Sequence, residues 1–270
     1  MNSIASRSNL SSLPVAKLCV QDQAYAVQAI LFDKDGTLLD FTYTWGSWGE
    51  QLLASFSDEL AKKGLPVLRP ELLSTWGMIY NENGEVSGYD RNSPISMGTI
   101  SDLMSLLAQE GYQAGLSWAE AKVLAEQCRR SADEQLEASR TARLLPGARA
   151  FLEQCRLCGI RLGIVTSDET DAALKHLEWL GIQAYFDACV GADLVNQGKP
   201  YPDMVELACL QLGVMAERTA VIGDTNGDMQ MARAAGTAAA IGIDEGGMTG
   251  RRGYPAADAV IAGYLELRIS

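Results

Sequence analysis

Two carboxylates lie two residues apart directly after a short apolar run of this chain. The run, Val27 to Phe32, is typical of a buried β-strand, and Asp33 and Asp35 follow it, with Gly36 and Thr37 completing a turn. In an open α/β sheet, ligands bind beyond the carboxyl ends of the strands, and the two-residue period of a strand would direct both acids to one side. Two acids aimed at one point repel each other unless a cation or a shared proton lies between them. The pattern therefore indicates a metal site, an acid–base pair, or both.

Two other interpretations of this motif compete with a catalytic one. Asp and Gly are common turn residues, so an isolated string of this kind can be a surface turn. A calcium loop would need Gly at its sixth position and Glu at its twelfth. Counted from Asp33, those positions hold Leu38 and Thr44, which excludes the calcium loop. The surface turn remains open for the motif taken alone.

Three further groups of polar residues each follow a short apolar run or lie in a turn before a helical pattern. They are Thr166 with Ser167, then Lys199, then Asp224 with Asp228. Taken singly, each has an ordinary structural explanation: a strand-end hydroxyl, a surface lysine, or the acids that begin a helix. Because the carboxyl ends of parallel strands share one edge, the four groups together could form one site.

The composition is that of a globular protein and excludes several classes of partner. Acidic residues outnumber basic ones by 34 to 22, which gives a formal net charge of −12. This charge repels a phosphate backbone, so we expect no nucleic acid partner, and a phosphate site must be locally positive or hold a metal. No apolar run is long enough to span a bilayer, and the segment from Met1 to Gln28 does not resemble a secretory signal. We therefore expect no membrane partner and a cytoplasmic location.

Cysteine and histidine add no further chemistry. The chain has six cysteines and one histidine, and the cysteines show no disulfide framework. Cys155 and Cys158 form a CxxC string inside an amphipathic stretch, where buried helix cysteines are the expected outcome. His176 lies in a helical pattern, and we expect it on the helix surface. With one histidine, expected on a helix surface, we expect neither Ser-His-Asp catalysis nor a metal site built from histidines.

The ordered motifs resemble those of the haloacid dehalogenase (HAD) superfamily of phosphohydrolases. The family pattern is DxDGT, then Ser or Thr after a strand, then Lys in a KPxP context, then GDxxxD, and all four occur here in order between Ala29 and Leu265. The resemblance implies Mg²⁺-dependent hydrolysis of a small phosphorylated metabolite, most similar to phosphoglycolate phosphatases. A phosphosugar phosphatase or phosphomutase is the alternative within the superfamily. An inactive regulatory or binding protein on the same fold is the alternative from another class, and the sequence leaves the oligomeric state undetermined.

The resemblance assigns roles to the four acids of these motifs. Asp33 would be the nucleophile that forms an aspartyl-phosphate, and Asp35 would protonate the leaving alcohol and then take a proton from water. Mg²⁺ would be held by Asp33, Asp224 and the backbone carbonyl of Asp35. Asp228 would be a supporting acid that holds metal-bound waters or the lysine.

The remaining motif residues would bind phosphate. By the resemblance, Thr166, Ser167 and Lys199 would contact the phosphoryl group, and Lys199 would offset its developing negative charge. Lys34 departs from the apolar residue commonest between the two acids in phosphatases, and we expect its side chain to point away from the site. The acid at Asp35 argues against dehalogenase chemistry, since that branch of the superfamily lacks it.

The order of secondary-structure patterns predicts an α/β protein. Helical and strand patterns alternate from Pro146 to Ile243, which indicates a doubly wound, Rossmann-like parallel sheet. The segment between the first two motifs shows helical periodicity only, and the resemblance implies an all-helical cap that closes over the active site. The predicted domains are a loosely ordered N-terminal extension at 1–20, a core at 21–41 and 143–270, and a helical cap at 42–142.

Overall fold

A six-stranded parallel sheet organises the part of the chain that carries the predicted motifs. The structure is a computed structural model and describes residues 13–69, 71–245 and 251–270. Its strands are β1 (Ala16–Val20), β2 (Gln23–Val27), β3 (Ala29–Phe32), β4 (Met78–Tyr80), β5 (Val86–Tyr89), β6 (Arg161–Val165), β7 (Ala188–Val190), β8 (Thr219–Gly223), β9 (Ala239–Ile243), β10 (Ala259–Ile261) and β11 (Leu267–Ile269). Its α-helices are α1 (Ser47–Lys62), α2 (Leu72–Trp76), α3 (Pro94–Met97), α4 (Ile100–Gln113), α5 (Trp118–Ser139), α6 (Ala148–Leu157), α7 (Thr170–Trp179), α8 (Asp203–Leu212) and α9 (Asn226–Ala234).

The sheet is doubly wound, as the sequence predicts. Its strand order is β10-β9-β8-β3-β6-β7 and every pairing is parallel. The chain runs outward from β3 through β6 to β7, then returns to β8 and continues outward on the other side through β9 to β10. The strand order therefore reverses beside β3, and such a switch point leaves a crevice beyond the carboxyl ends of the strands. The α/β, Rossmann-like fold class is confirmed.

The central strand β3 sets the position of the first motif. All four residues of β3 are fully buried, as expected for a parallel strand that is covered on both faces. Phe32, its last residue, pairs with Ile164 of β6 and Ile222 of β8. The residues that follow these three strands therefore leave the sheet at the same edge.

The N-terminal segment differs from the expected loosely ordered extension. Ala16–Val20 forms strand β1, which pairs antiparallel with β2 and with the C-terminal strand β11. Ala16, Leu18 and Val20 are buried while Lys17 is exposed, which is the alternation of a half-buried strand. The prediction for 16–20 is wrong because the partner β11 lies at the opposite end of the sequence. Residues 1–12 of the predicted extension lie outside the described residues.

The contacts divide the chain into two compact units, and the second runs from Leu39 to Arg143. It contains the segment 42–142 that the sequence assigns to a cap. Its helices are α1 to α5, and α4 and α5 each begin with a capping box. The unit also contains an antiparallel hairpin of β4 and β5, so the expectation of an all-helical insertion does not hold there. Strands of three and four residues are too short to show an alternating pattern in the sequence.

None of the helices in the described residues combines the length and the apolar character that a membrane span requires. The longest, α5, has 22 residues but carries charged residues along its whole length.

Candidate active site

The end of β3 directs the two acids of the first motif. The Asp33 N–H donates to the Ile222 carbonyl at 2.9 Å, which continues the ladder with β8 by one residue. The chain then turns: Gly36 has a φ of 78°, and the Leu38 N–H donates to the Lys34 carbonyl at 2.9 Å. A positive φ of this size is unfavourable for residues that carry a Cβ, which explains the glycine. Because the extended conformation ends at Phe32, Asp33 and Asp35 need not face the same way.

Asp33 belongs to a group of buried charges that we call the Lys199 cluster: Lys199, Asp33, Asp224 and Asp228. The Lys199 ammonium lies 2.5 Å from Asp33 Oδ1 and 2.6 Å from Asp228 Oδ1. Carboxylate oxygens of the three acids lie within 4.8 Å of one another. All three acids are buried, with 6% exposure or less. The structure thus brings together the predicted nucleophile, one predicted metal ligand, the supporting acid and the predicted lysine.

Asp228 has two structural tasks, one for each carboxylate oxygen. Its Oδ2 accepts hydrogen bonds from the Thr225 N–H at 3.1 Å and the Thr225 hydroxyl at 2.6 Å, while the Asp228 N–H donates to Thr225 Oγ1. This capping box begins α9 and fixes the side chain. Gly223 permits the close approach, since a Cβ there would lie 2.4 Å from the Asp228 side chain. The other oxygen, Oδ1, is then directed at Lys199.

The electrostatics of the Lys199 cluster fit a divalent cation. Burial raises the pKa of Asp33 well above its usual value, Lys199 opposes this rise, and Asp228 and Asp224 add to it. Burial alone would lower the pKa of Lys199, but Asp228 and Asp33 raise it above its ordinary value. Three carboxyl groups thus share this buried site with one ammonium. A hard divalent cation with oxygen ligands would offset their excess of negative charge.

Asp35 belongs to a different group, the Lys34 cluster: Lys34, Asp35, Asp168 and His176. The Lys34 side chain is fully buried, and its ammonium lies 2.6 Å from Asp35 Oδ2 and 3.1 Å from Asp168 Oδ2. The expectation that Lys34 points away from the site is therefore wrong. Since the turn after Phe32 ends the strand geometry, Lys34 can contact the second acid of its own motif.

His176 completes this cluster and corrects a second expectation. It is buried, with 4% exposure, and not on the helix surface. Its Nδ1 lies 2.9 Å from the Lys34 ammonium. Burial, with help from Lys34, lowers the pKa of His176 to about 3. The imidazole is therefore neutral near pH 7, and because the ammonium can only donate, Nδ1 is the acceptor and the ring proton lies on Nε2.

The predicted phosphate-binding hydroxyls follow β6 at the same edge of the sheet. Thr166 is buried; its N–H donates to the Val190 carbonyl at 3.0 Å, and its hydroxyl oxygen accepts from the Asp168 N–H at 3.2 Å. Ser167 is half-buried. Helix α7 begins four residues after Thr166, at Thr170. Their contact with phosphate stays a prediction.

Sequence reasoning missed three members of the Lys34 cluster. Lys34 carried a signal, since it is the only basic residue between Lys17 and Lys62 and stands between two acids after a wholly apolar strand. A charge in that position is costly unless a partner lies nearby. Asp168 and His176 carried no such signal, because their relevance depends on contact with a residue more than a hundred positions away.

Comparison with known proteins agrees with this geometry. The model of the haloacid dehalogenase-like hydrolase family matches residues 27–236. The probable phosphatase IndB of Dickeya dadantii is 41% identical over 103 residues, which cover 38% of this chain and 44% of that protein, less than half its length. The phosphoglycolate phosphatase of Yersinia pestis is 27% identical over 216 residues and 78% of each chain. The solved HAD phosphatase of Thermococcus onnurineus is 25% identical, with a TM-score of 0.59 over 87% of this chain and 94% of that one.

Proposed function

The chain belongs to the haloacid dehalogenase-like hydrolase family, and on this premise we propose that it is a Mg²⁺-dependent phosphatase of small phosphomonoesters. The observation that carries the proposal is the Lys199 cluster, in which a buried carboxylate at the end of the central strand lies 2.5 Å from a lysine and close to two further acids. A nucleophile, a fixed positive charge and several oxygen ligands are features that phosphoryl transfer through a covalent intermediate uses.

Asp33 and Asp224, with the backbone carbonyl of Asp35, would hold the magnesium ion. When bound, Mg²⁺ would neutralise the carboxylates and the phosphoryl oxygens that must approach them. The fit rests on the donor set, which consists of oxygens, and on the excess negative charge of the cluster. Asp228 contacts the Lys199 ammonium through its Oδ1 and would hold it in position.

The reaction has two steps, each of which moves one proton. A carboxylate oxygen of Asp33 attacks phosphorus, the bond to the ester oxygen breaks, and Asp35 gives its proton to the departing alcohol. Water then attacks the phosphorus of the aspartyl-phosphate and loses a proton to Asp35, which releases inorganic phosphate and restores Asp33. Lys199 offsets the negative charge on the phosphoryl group in both steps, and Thr166 and Ser167 donate hydrogen bonds to it.

We assign substrate selection to the segment 42–142, because every residue proposed for the chemistry lies outside it. The similarity to phosphoglycolate phosphatases favours a short phosphorylated carboxylic acid as the substrate, and a cytoplasmic location fits a metabolic substrate of this kind. Among phosphorylated metabolites, 2-phosphoglycolate should give the highest kcat/KM. A panel in which phosphosugars gave higher values would replace this substrate class and leave the chemistry intact.

A direct test uses p-nitrophenyl phosphate with and without EDTA. The wild type should turn over, lose activity in EDTA and regain it with excess Mg²⁺. Asp33→Asn should be inactive, while Asp22→Asn, which changes an exposed acid outside the site, should match the wild type. Full turnover in chelator, or no turnover of any phosphomonoester by the wild type, would overturn the proposal.

A further inference from the structure

We infer that Lys34 is a positioning residue for the reaction: anchored by Asp168 and His176, its ammonium holds Asp35 Oδ2 so that Oδ1 exchanges the proton with substrate and water. The inference rests on the proposed role of Asp35 as acid and base. It assigns a task to a lysine that the four motifs of the family do not include.

The first observation is the geometry around the ammonium. An ammonium has three N–H donors. Three acceptors surround that of Lys34: Asp35 Oδ2 at 2.6 Å, Asp168 Oδ2 at 3.1 Å and His176 Nδ1 at 2.9 Å. The side chain is also fully buried. An ammonium held in this way cannot rotate or withdraw without breaking buried hydrogen bonds, so its position relative to Asp35 is fixed.

The second observation is that the anchor is built from parts of the fold other than the Asp35 loop. Asp168 lies between β6 and α7, where its Oδ1 accepts from the Glu169 N–H at 2.8 Å and its carbonyl accepts from the Ala192 N–H at 3.0 Å. His176 lies on α7, with its ring 4.8 Å from the Trp179 ring. The sheet and α7 therefore hold Lys34 in place, and Lys34 in turn holds Asp35.

The third observation is the choice of residue types. An ammonium and two carboxylates buried together lose much of their hydration free energy, and replacing such a group as a whole by apolar side chains of similar volume is often no less stable. A purely structural role would thus be served as well by apolar residues at these positions. What apolar residues cannot do is bind one carboxylate oxygen of Asp35 and leave the other aimed at the reacting atoms. The orientation of a general acid relative to the reacting atoms contributes directly to the rate of the reaction.

The experiment compares two leaving groups in Lys34→Met. An alkyl phosphate needs the acid in the first step, whereas p-nitrophenolate, with a leaving-group pKa of about 7, needs little protonation. Both substrates need the base in the second step. We expect the p-nitrophenolate burst rate constant to stay within about threefold of the wild type, while steady-state kcat for both substrates falls about 10- to 100-fold, part of the usual acid–base contribution. Because a slower second step lowers kcat and KM together, kcat/KM for p-nitrophenyl phosphate should also stay within about threefold of the wild type.

The controls separate this inference from the proposed function. Lys17→Met removes an exposed lysine on β1 and should leave every rate constant unchanged. Asp35→Asn is the reference and should show the same pattern with a larger loss. If Asp35→Asn does so and Lys34→Met keeps wild-type kcat for the alkyl phosphate, or loses burst and steady-state rates equally, Lys34 does not position Asp35. If Asp35→Asn keeps wild-type kinetics, the proposed function of Asp35 fails and this inference with it.

A second variant covers the possibility that Lys34→Met does not fold. Lys34→Met with Asp168→Asn removes one positive and one negative charge together, so that no buried Asp168 carboxylate is left without its ammonium. It should show the same burst followed by slow turnover. A folded double variant with wild-type kcat on the alkyl phosphate would overturn the inference.

Discussion

The Lys199 cluster and the Lys34 cluster are built on the same plan and differ in their fourth member. In each, a buried lysine joins one acid of the first motif to one acid from a later part of the chain: Asp33 to Asp228 through Lys199, and Asp35 to Asp168 through Lys34. The Lys199 cluster adds a third carboxylate, that of Asp224. The Lys34 cluster adds a neutral imidazole instead.

This difference distinguishes a cluster that can bind a ligand from a cluster that positions a side chain. Across the three described stretches of the chain, the only group of metal-ligating side chains close enough to share an ion is that of the Lys199 cluster. Its excess negative charge favours a cation. In the Lys34 cluster an imidazole without charge satisfies the lysine and adds no further negative charge. We therefore interpret the Lys199 cluster as the site that binds charged ligands and the Lys34 cluster as the group that holds an acid, Asp35, in position.

Removing the nucleophile of the Lys199 cluster should reduce the activity more than any other change. Asp33→Asn keeps the shape and can still accept a hydrogen bond from Lys199, but it lacks the nucleophilic charge. Turnover should fall about 10⁴-fold or more, as it does when a nucleophile is lost in other enzymes. The melting temperature should hold or rise, because one of three neighbouring carboxylates is gone. Activity within tenfold of the wild type would mean that another group attacks phosphorus.

Metal removal tests the claim that only the Lys199 cluster binds a cation. In EDTA, turnover should be lost, and added Mg²⁺ should restore it while Ca²⁺, with its looser geometry, should not. Mg²⁺ should also raise the melting temperature of the wild type, since a ligand that binds the folded state stabilises it. Asp224→Asn should weaken this thermal shift and Asp168→Asn should not. Equal loss of the shift in both variants would contradict the distinction between the clusters.

Asp35→Asn tests the acid held by the Lys34 cluster. With p-nitrophenyl phosphate, the first step needs little acid, but water must still lose a proton in the second. General acid–base catalysis is worth about 10² to 10⁴ in rate, so the intermediate should accumulate. We expect a burst of about one p-nitrophenolate per active site, slow turnover afterwards and a phosphorylated protein in mass spectrometry. Alkyl phosphates should give no burst, and wild-type-like turnover of both substrates would assign the proton to another residue.

The smallest expected effect is a pH dependence of stability that comes from His176. Its pKa in the folded state is lowered from 6.5 to about 3, so between these values the unfolded chain binds more protons. Stability from this residue is therefore present above pH 6.5 and is lost as the pH falls, by up to about 1.4 kcal/mol per pH unit. The His176→Asn variant keeps a side-chain oxygen that can accept a hydrogen bond from Lys34, but its amide does not titrate in this pH range. Urea unfolding at pH 7.5, 6 and 5 should show a steeper loss for the wild type than for His176→Asn; parallel curves would mean that His176 is not buried as a neutral ring.

The four residues of the Lys199 cluster can be identified as site candidates from the amino-acid sequence alone. Asp33, Lys199, Asp224 and Asp228 each stand after an apolar run or in a turn, and a parallel sheet brings such positions to one edge. The sheet class follows for the same reason, because alternating strand and helix patterns are local properties of the chain. These predictions need only local sequence patterns and the rule that the carboxyl ends of parallel strands lie at one edge of the sheet.

The Lys34 cluster and the N-terminal strand, in contrast, depend on contacts between residues that are far apart in the sequence. The alternation of a strand directs Lys34 away from Asp35, and the helical pattern predicts His176 on the surface of α7. Their contact depends on where the turn after Phe32 places Lys34 and on how α7 packs beside it. In the same way, β1 is a strand only because β11, at the other end of the chain, pairs with it. Contacts between distant residues produce no periodic pattern in the sequence. Local patterns therefore predict the motifs, whereas the partners of the motif residues depend on how the chain folds.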